Sequence, residues 1–401
     1  RHPAGPPDWI DLPSLEDRLR IPVAGVTEEQ RLSADYQGQG QSLSRQDRWE
    51  ELSDLIRRHD QNRDSTPSGL SLAELLTYGA RADVVQAAEH ALLHGDLAAD
   101  APVQDGIADF EETLRDFPDQ YPVALVLAHM HVDIGWAWRG NGRLDGLQEE
   151  NRRAFYHHFS RAGEILDRHC GLMHNSPALM AARCALLPGQ TGAQARVADD
   201  FEDLIDLDPG NSRYMRALGN YLLPRWYGSY EQLELEARRT AARTLDVWGA
   251  GGYTWVYFDA VLVDPDALMH LDIDYFLDGV EDILKQKPDQ HTANLLAAQT
   301  HAAQSTLVTV LGDCAAAQEF GLAFRDTFEH IVQDHLREVH PPIWGHAGIG
   351  FDNAARAVTL SRLAARGRES ALRAISDMFR EPLLRGDLVQ FEDHGIRIVS
   401  G

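Results

Sequence analysis

One spaced motif recurs three times in the chain and constrains its fold more than any other feature. In each copy an apolar residue is followed by two acidic residues, a largely apolar pair and, at the ninth position, a proline. Because proline has no backbone N–H and clashes with the preceding turn, each proline predicts the end of a helix. The copies begin at Phe110, Phe201 and Val280, and their prolines are Pro118, Pro209 and Pro288.

The residues around each motif predict a pair of helices joined by a short turn. Phe201, Leu204 and Ile205 are spaced so that they share one face of a helix. After the second and third prolines, Met215–Leu222 and Ala293–Ala303 are again helical in pattern and rich in small residues. Helix, proline turn and helix form an αα-hairpin, and three such hairpins predict a stacked helical array.

Two segments resemble known helical-repeat proteins. Residues Val197–Arg243, with Leu207–Asn211 at the turn, resemble the tetratricopeptide repeat, a two-helix unit. From about Tyr121 to Ala303 the chain is also similar to an uncharacterised bacterial family of tetratricopeptide-like proteins, through Gly135–Gly140 and Pro224–Ser229. The resemblance implies a fold, and it implies no activity.

The end of the chain has a different pattern. Leu388–Phe391 and Ile396–Val399 alternate about His394-Gly395, which predicts a β-hairpin. The expected fold is therefore mainly all-α: an irregular tetratricopeptide-like α-solenoid of αα-hairpins with a small C-terminal β-hairpin. We expect four segments: an extended, partly ordered arm (1–46), N-terminal helices (47–117), the helical repeat region (118–340), and a C-terminal helix with the β-hairpin cap (341–401).

Composition limits the possible partners and the compartment. The formal net charge is −25 and no basic stripe is present, so the surface should repel nucleic acid. No apolar run approaches the ~20 residues that a membrane-spanning helix needs, so no membrane association is expected. Three cysteines spread over 401 residues favour a reducing compartment, the cytoplasm.

A metal site is one alternative for the function. The string His129-Met130-His131-Val132-Asp133, followed by Trp136, resembles the metal-binding motif of retaining α-mannosidases. That resemblance would assign zinc to His129 and Asp133 and would make the chain a zinc-dependent hydrolase. The repeat pattern instead places both residues on one face of a helix, four positions apart, as a plain His–Asp contact. On that interpretation no metal or other cofactor is expected.

Aromatic and arginine residues form the preferred candidate site. Trp, Tyr and Arg dominate binding hot spots, and here they cluster after the first two repeat prolines. We expect no catalytic residues and favour a non-enzymatic scaffold that binds a protein or peptide. A homo-oligomer built through the repeats is a further alternative. The candidate binding residues are Trp136, Trp138, Arg139, Arg225, Trp226 and Tyr227.

Overall fold

The computed structural model describes residues 17–94, 102–140, 146–310, 315–349 and 359–400. Within these ranges the protein is mainly α-helical with a small sheet formed largely by the C-terminal end, as the sequence predicts. The chain divides into two compact units, a central unit (residues 28–247) and a terminal unit (residues 1–27 with 248–401). The division at residue 247 falls inside the segment 118–340, which the sequence pattern treats as one repeat region. In the part of the chain that is described, no helix combines the length and the apolar character needed to cross a membrane.

The central unit consists of helices. In chain order they are α1 (Glu28–Arg45), α2 (Trp49–Asn62), α3 (Leu72–His94), α4 (Pro102–Asp116), α5 (Tyr121–Arg139), α6 (Glu149–Leu166), α7 (Gly171–His174), α8 (Pro177–Ala185), two 3₁₀ turns (Leu187–Gly189 and Ala193–Ala195), α9 (Val197–Leu207), α10 (Ser212–Tyr221), α11 (Tyr230–Arg243) and the short α12 (Leu245–Trp248), whose last residue is the first of the terminal unit's second segment.

Helix α5 lies in the core of the central unit. Its apolar run Val123–Ala128 is entirely buried, together with Met130 and Ile134 further along the helix. A helix that is apolar on all faces must be surrounded by other elements. Pro122 stands at the start, where the missing N–H costs nothing because the first amides have no intrahelical partner.

The prediction of an extended arm over residues 1–46 is wrong for Glu28–Arg45, which forms α1. Residues 1–16 of that segment lie outside the described residues. Helix α1 packs on α3 through glycine: a Cβ atom at Gly40 would overlap the carbonyl oxygen of Leu76, and one at Gly79 would overlap that of Gln37. Gly40 and Gly79 therefore permit the two helix backbones to touch.

The terminal unit combines helices with a sheet. Its elements are β1 (Leu19–Arg20), α13 (Gly251–Val263), a 3₁₀ helix (Pro265–His270), α14 (Ile273–Gln286), α15 (Gln290–Val310), α16 (Ala315–His330), a π-helical turn (Ile331–His335), α17 (Pro341–Ile349), α18 (Leu360–Met378), α19 (Arg380–Arg385), β2 (Leu388–Glu392) and β3 (Gly395–Val399). Strands β2 and β3 form the predicted antiparallel hairpin, with Val389 opposite Ile398. Strand β1, from the other end of the chain, pairs in parallel with β2.

Each repeat proline lies in a turn between two helices, as predicted. Pro118 separates α4 from α5, Pro209 separates α9 from α10, and Pro288 separates α14 from α15. The side chain of Asn211 accepts a hydrogen bond from the amide of Arg213 (3.1 Å), and that of Asp289 accepts one from Thr292 (2.8 Å). These side chains satisfy free amides at the start of the second helix. Whether the hairpins are tetratricopeptide repeats stays a prediction.

Candidate binding site

The C-terminal end of α5 positions the first half of the candidate site. Helix α5 stops at Gly140, where φ is +60°, and the Gly140 amide donates to the Trp136 carbonyl (2.9 Å). The Trp136 ring packs edge-on against Phe155 and Phe159 of α6, with ring centroids 5.6 and 5.9 Å apart. Those two contacts fix the Trp136 ring, and Arg139 follows it in the last turn.

The turn between α10 and α11 positions the second half. The amide of Trp226 donates to the Leu223 carbonyl (2.9 Å), and that of Tyr227 donates to the Tyr221 carbonyl (3.1 Å). A Cβ atom at Gly228 would overlap the Leu222 carbonyl oxygen, so the close approach in this turn requires glycine. The turn therefore holds the Trp226 and Tyr227 backbones in place.

The two halves meet at Arg139. Its guanidinium carbon lies 4.7 Å from the centre of the Trp136 ring and 5.4 Å from that of the Trp226 ring. The guanidinium carbon of Arg225 lies 6.0 Å from the Trp226 ring. Distances of up to about 6 Å between a cation and an aromatic face are attractive. We call Trp136, Arg139, Arg225, Trp226 and Tyr227 the Arg139 cluster.

A stack of aromatic rings supports the cluster. Trp226 lies nearly parallel to Tyr221, with centroids 6.3 Å apart and planes 16° apart, and contacts Tyr227 at 5.9 Å. Tyr221 in turn contacts Phe201 of α9 at 5.3 Å. Sequence reasoning did not select Tyr221, although it ends α10 only five residues before Trp226.

The cluster is cationic. Burial is the largest influence and lowers the pKa of Arg139; Tyr227, the next largest, raises it, Arg225 lowers it further, and Tyr156 raises it. The buried Nε atom of Arg139 has no hydrogen-bond partner among the described residues. Within those residues the structure also gives no ion pair to Arg139 or Arg225. Burial raises the pKa of Tyr227 to about 12, so its hydroxyl keeps its proton at neutral pH.

Five of the six candidate binding residues are thus in the Arg139 cluster, and Trp138 is not. Trp138 is half-buried and packs against the apolar core of the central unit. It lies two residues after Trp136 on α5, and positions two apart on a helix point in different directions. Tyr156, which lies on α6 and is 43% exposed, acts to raise the pKa of Arg139. No sequence pattern marks Tyr156 as part of the site.

Among the described residues, His129 and Asp133 belong to no group of three His, Cys, Asp or Glu side chains that could hold a metal ion. The Asp133 carboxylate binds the guanidinium of Arg81 (2.6 Å), and Arg81 is only 7% exposed. His129 Nδ1 is buried without a hydrogen-bond partner among the described residues, and burial lowers the pKa of His129 to about 3, with Arg81 contributing. A buried arginine next to both residues would repel a divalent cation. The fold thus lacks the His129–Asp133 contact that the helical spacing suggested.

The middle histidine of the motif has different partners. His131 Nδ1 lies 2.9 Å from Nδ1 of His158, and Nε2 lies 3.4 Å from the Glu111 carboxylate. Arg161 holds that carboxylate with two hydrogen bonds of 2.8 and 2.6 Å. Among the described residues there is no group of three His, Cys, Asp or Glu side chains that could hold a metal ion.

Comparison of the chain with models of protein families, with curated proteins and with solved structures gives no match.

Proposed function

We propose that this chain is a non-enzymatic helical-repeat protein of the tetratricopeptide-like kind that binds a protein or peptide, and that the Arg139 cluster is its binding site. The observation that carries the proposal is the convergence of two arginines and three aromatic side chains from separate helix ends. Partly exposed Trp, Tyr and Arg side chains held in fixed positions are the usual centre of a protein interface.

The cluster is prepared for a partner in two ways. Its rings are held by neighbouring aromatic side chains, so binding would cost little side-chain entropy. Trp226 and Tyr227 are half-buried and Arg225 is exposed, so each retains surface that a partner could cover. A site of this kind can contribute affinity without rearrangement of the backbone.

The charge of the cluster indicates the partner's chemistry. Arg139 and Arg225 have no ion pair within the described part of the chain, so no carboxylate of those residues offsets their charge. A carboxylate from a partner would complement the charge of these two guanidinium groups. We therefore expect a segment with an aromatic or aliphatic side chain next to a carboxylate.

A displayed library of random peptides tests this expectation. Peptides selected on the wild-type chain should be enriched in Asp, Glu or a free C-terminus beside an apolar residue, and their Kd is measured by fluorescence polarisation. Trp226→Ala and Arg139→Gln should each weaken binding at least tenfold, about 1.4 kcal/mol. Trp226→Ala should weaken peptide binding more than it lowers the stability of the fold, which the melting temperature measures. Equal losses of binding and folding would show that the Trp226 ring is only part of the core.

Arg153→Gln provides the matched control, because Arg153 is an exposed arginine on α6 outside the cluster. It removes the same charge and should leave peptide affinity unchanged. If Arg153→Gln and Arg139→Gln lose the same peptide affinity, the loss comes from the change in net charge and not from the Arg139 cluster. Selection of no peptide, or selected peptides that bind the Trp226→Ala chain normally, would refute the site.

We further propose a cytoplasmic location. Cys170 and Cys184 are both free thiols, and Cys170 is exposed, which suits a reducing compartment. Cys314 lies outside the described residues. A homo-oligomer remains an alternative use of the same surface, and light scattering of the wild-type and Trp226→Ala chains would reveal it as a loss of mass in the variant.

A further inference from the structure

The terminal unit contains a cavity of about 450 Å³ that is separate from the Arg139 cluster. It lies between the N-terminal segment Leu19–Val23, one face of α18, and β2. Pockets of about 300–1,000 Å³ are the size that proteins use for small organic ligands. Its presence depends on β1, because β1 brings the N-terminal segment beside β2.

The cavity has an apolar floor. Ile21, Leu372 and Phe391 line it, and each is at most 9% exposed. These side chains come from three separate segments of the chain, which meet only in the folded unit. An apolar group in this cavity would be removed from water and would gain roughly 25 cal/mol for each Å² of surface buried.

Ser376 gives the cavity an unused polar group. It lines the cavity, is 4% exposed, and its hydroxyl has no hydrogen-bond partner among the described residues. A buried helical hydroxyl ordinarily donates to a carbonyl one turn back, as Thr300 does to Leu296 (2.9 Å). A buried polar group without a partner costs free energy, and a ligand that accepts a hydrogen bond would relieve that cost.

Two arginines also line the cavity, Arg20 and Arg368. Arg20 is exposed, and in the described residues the structure gives its guanidinium no carboxylate partner. The amide side chain of Gln390 completes the polar lining. The lining thus combines positive charge and hydrogen-bond donors with an apolar floor, which is the complement of an amphipathic anion.

We propose that this cavity binds a small organic monocarboxylate with an apolar body. The carboxylate lies against Arg20 and accepts a hydrogen bond from Ser376, and the hydrocarbon lies on Ile21, Leu372 and Phe391. A monoanion suits the site better than a polyanion, because the chain as a whole carries a charge of −25 and repels multiple negative charge.

Titration calorimetry of the full chain with octanoate as the probe tests the proposal. Octanoate should bind saturably with one site per chain. The neutral 1-octanol, which has the same hydrocarbon length, should bind at least tenfold more weakly, and inorganic phosphate should not bind measurably. Saturable octanoate binding that 1-octanol matches, or a failure of octanoate to saturate, would overturn the proposal.

Three variants locate the binding. Arg20→Gln should weaken octanoate at least tenfold, and Ser376→Ala should weaken it severalfold without lowering the melting temperature, because the hydroxyl has no hydrogen bond among the described residues to lose. Arg373→Gln is the control: Arg373 lies on the same helix, pairs with Glu369 (2.8 Å) and does not line the cavity. An Arg20→Gln chain that binds octanoate normally, or an Arg373→Gln chain that loses it equally, would refute this site. Trp226→Ala and Arg139→Gln, the variants that test peptide binding, should leave octanoate affinity unchanged. The peptide site and the carboxylate site are therefore tested independently of each other.

Discussion

At the scale of single residues, Asp60 is a polar side chain in the core of the central unit. It is 2% exposed and accepts hydrogen bonds from the Tyr121 hydroxyl (3.0 Å), the Ala178 amide (2.9 Å) and the Ser176 hydroxyl. Those donors belong to α5 and to the start of α8, while Asp60 is on α2. One carboxylate therefore joins three helices, including the helix that carries half of the Arg139 cluster.

The pH dependence of stability should reveal Asp60. Burial raises its pKa above the ordinary 3.8, so the folded state binds the proton more tightly than the unfolded state. Its contribution to the free energy of unfolding is greatest in acid and falls as the pH rises through the raised pKa. In Asp60→Asn this titration is lost, so the stability advantage of the wild type should shrink as the pH rises above the ordinary carboxyl pKa of 3.8.

Urea unfolding at a series of pH values measures this difference. Asp54→Asn serves as the control, because Asp54 is 69% exposed on the same helix and its only described ion pair is with Arg57. It should give a small difference in the free energy of unfolding, because the Asp54 side chain is exposed. An Asp60→Asn difference that grows as the pH rises would show that the sign of the pKa shift is wrong.

At the scale of elements, the contact between α1 and α3 shows how a sequence with few large apolar residues is held in a core. Leu43 and Gly40 are the buried residues of α1. The helix gains its contacts by bringing its backbone against α3, where Gly79 allows the same approach from the other side. Close backbone approach replaces side-chain burial as the source of dispersion energy.

Two glycines of α1 should therefore respond in opposite directions to the same substitution. Gly40→Ala places a methyl group on the Leu76 carbonyl and should destabilise the chain by about 1–3 kcal/mol. Gly38→Ala meets nothing within 4 Å and should stabilise the helix by up to about 1 kcal/mol. The midpoints of urea unfolding give both values, and shifts of the same sign would contradict the packing of α1 on α3.

At the scale of the whole molecule, the central unit is one continuous stretch of chain, whereas the terminal unit is assembled from both ends. Leu19 and Ile21, from the N-terminal end, are buried in the terminal unit. Strand β1 contributes main-chain pairing to β2, and the amide of Ala24 donates to the Val339 carbonyl (2.9 Å). The terminal unit is thus incomplete without the start of the chain.

Removal of residues 1–24 should accordingly destabilise the terminal unit and leave the stability of the central unit unchanged. Hydrogen exchange should become faster in β2 and α18, which lose β1 and the buried Leu19 and Ile21. Amides in the middle of α5, which belong to the central unit, should keep their protection in the same sample and act as the internal control. Loss of protection in α5 as well would mean that the two units do not behave separately.

The sequence by itself determined the local elements. Proline at three positions fixed where helices end, because proline removes a donor and blocks the preceding turn wherever it stands. Alternation about His394-Gly395 fixed the hairpin for a similarly local reason. The residue types of the Arg139 cluster were also selected from sequence, since their chemistry does not depend on position.

Only the tertiary structure decided which of these residues meet. Arg139 and Trp226 are far apart in sequence, and no local rule states that α5 ends beside the turn after α10. The same holds for the pairing of Asp133 with Arg81, which gives that carboxylate a partner other than His129, and for the pairing of β1 with β2, which creates the cavity. Secondary structure follows from neighbours along the chain, whereas a site depends on packing between distant segments, and packing is decided by the whole core at once.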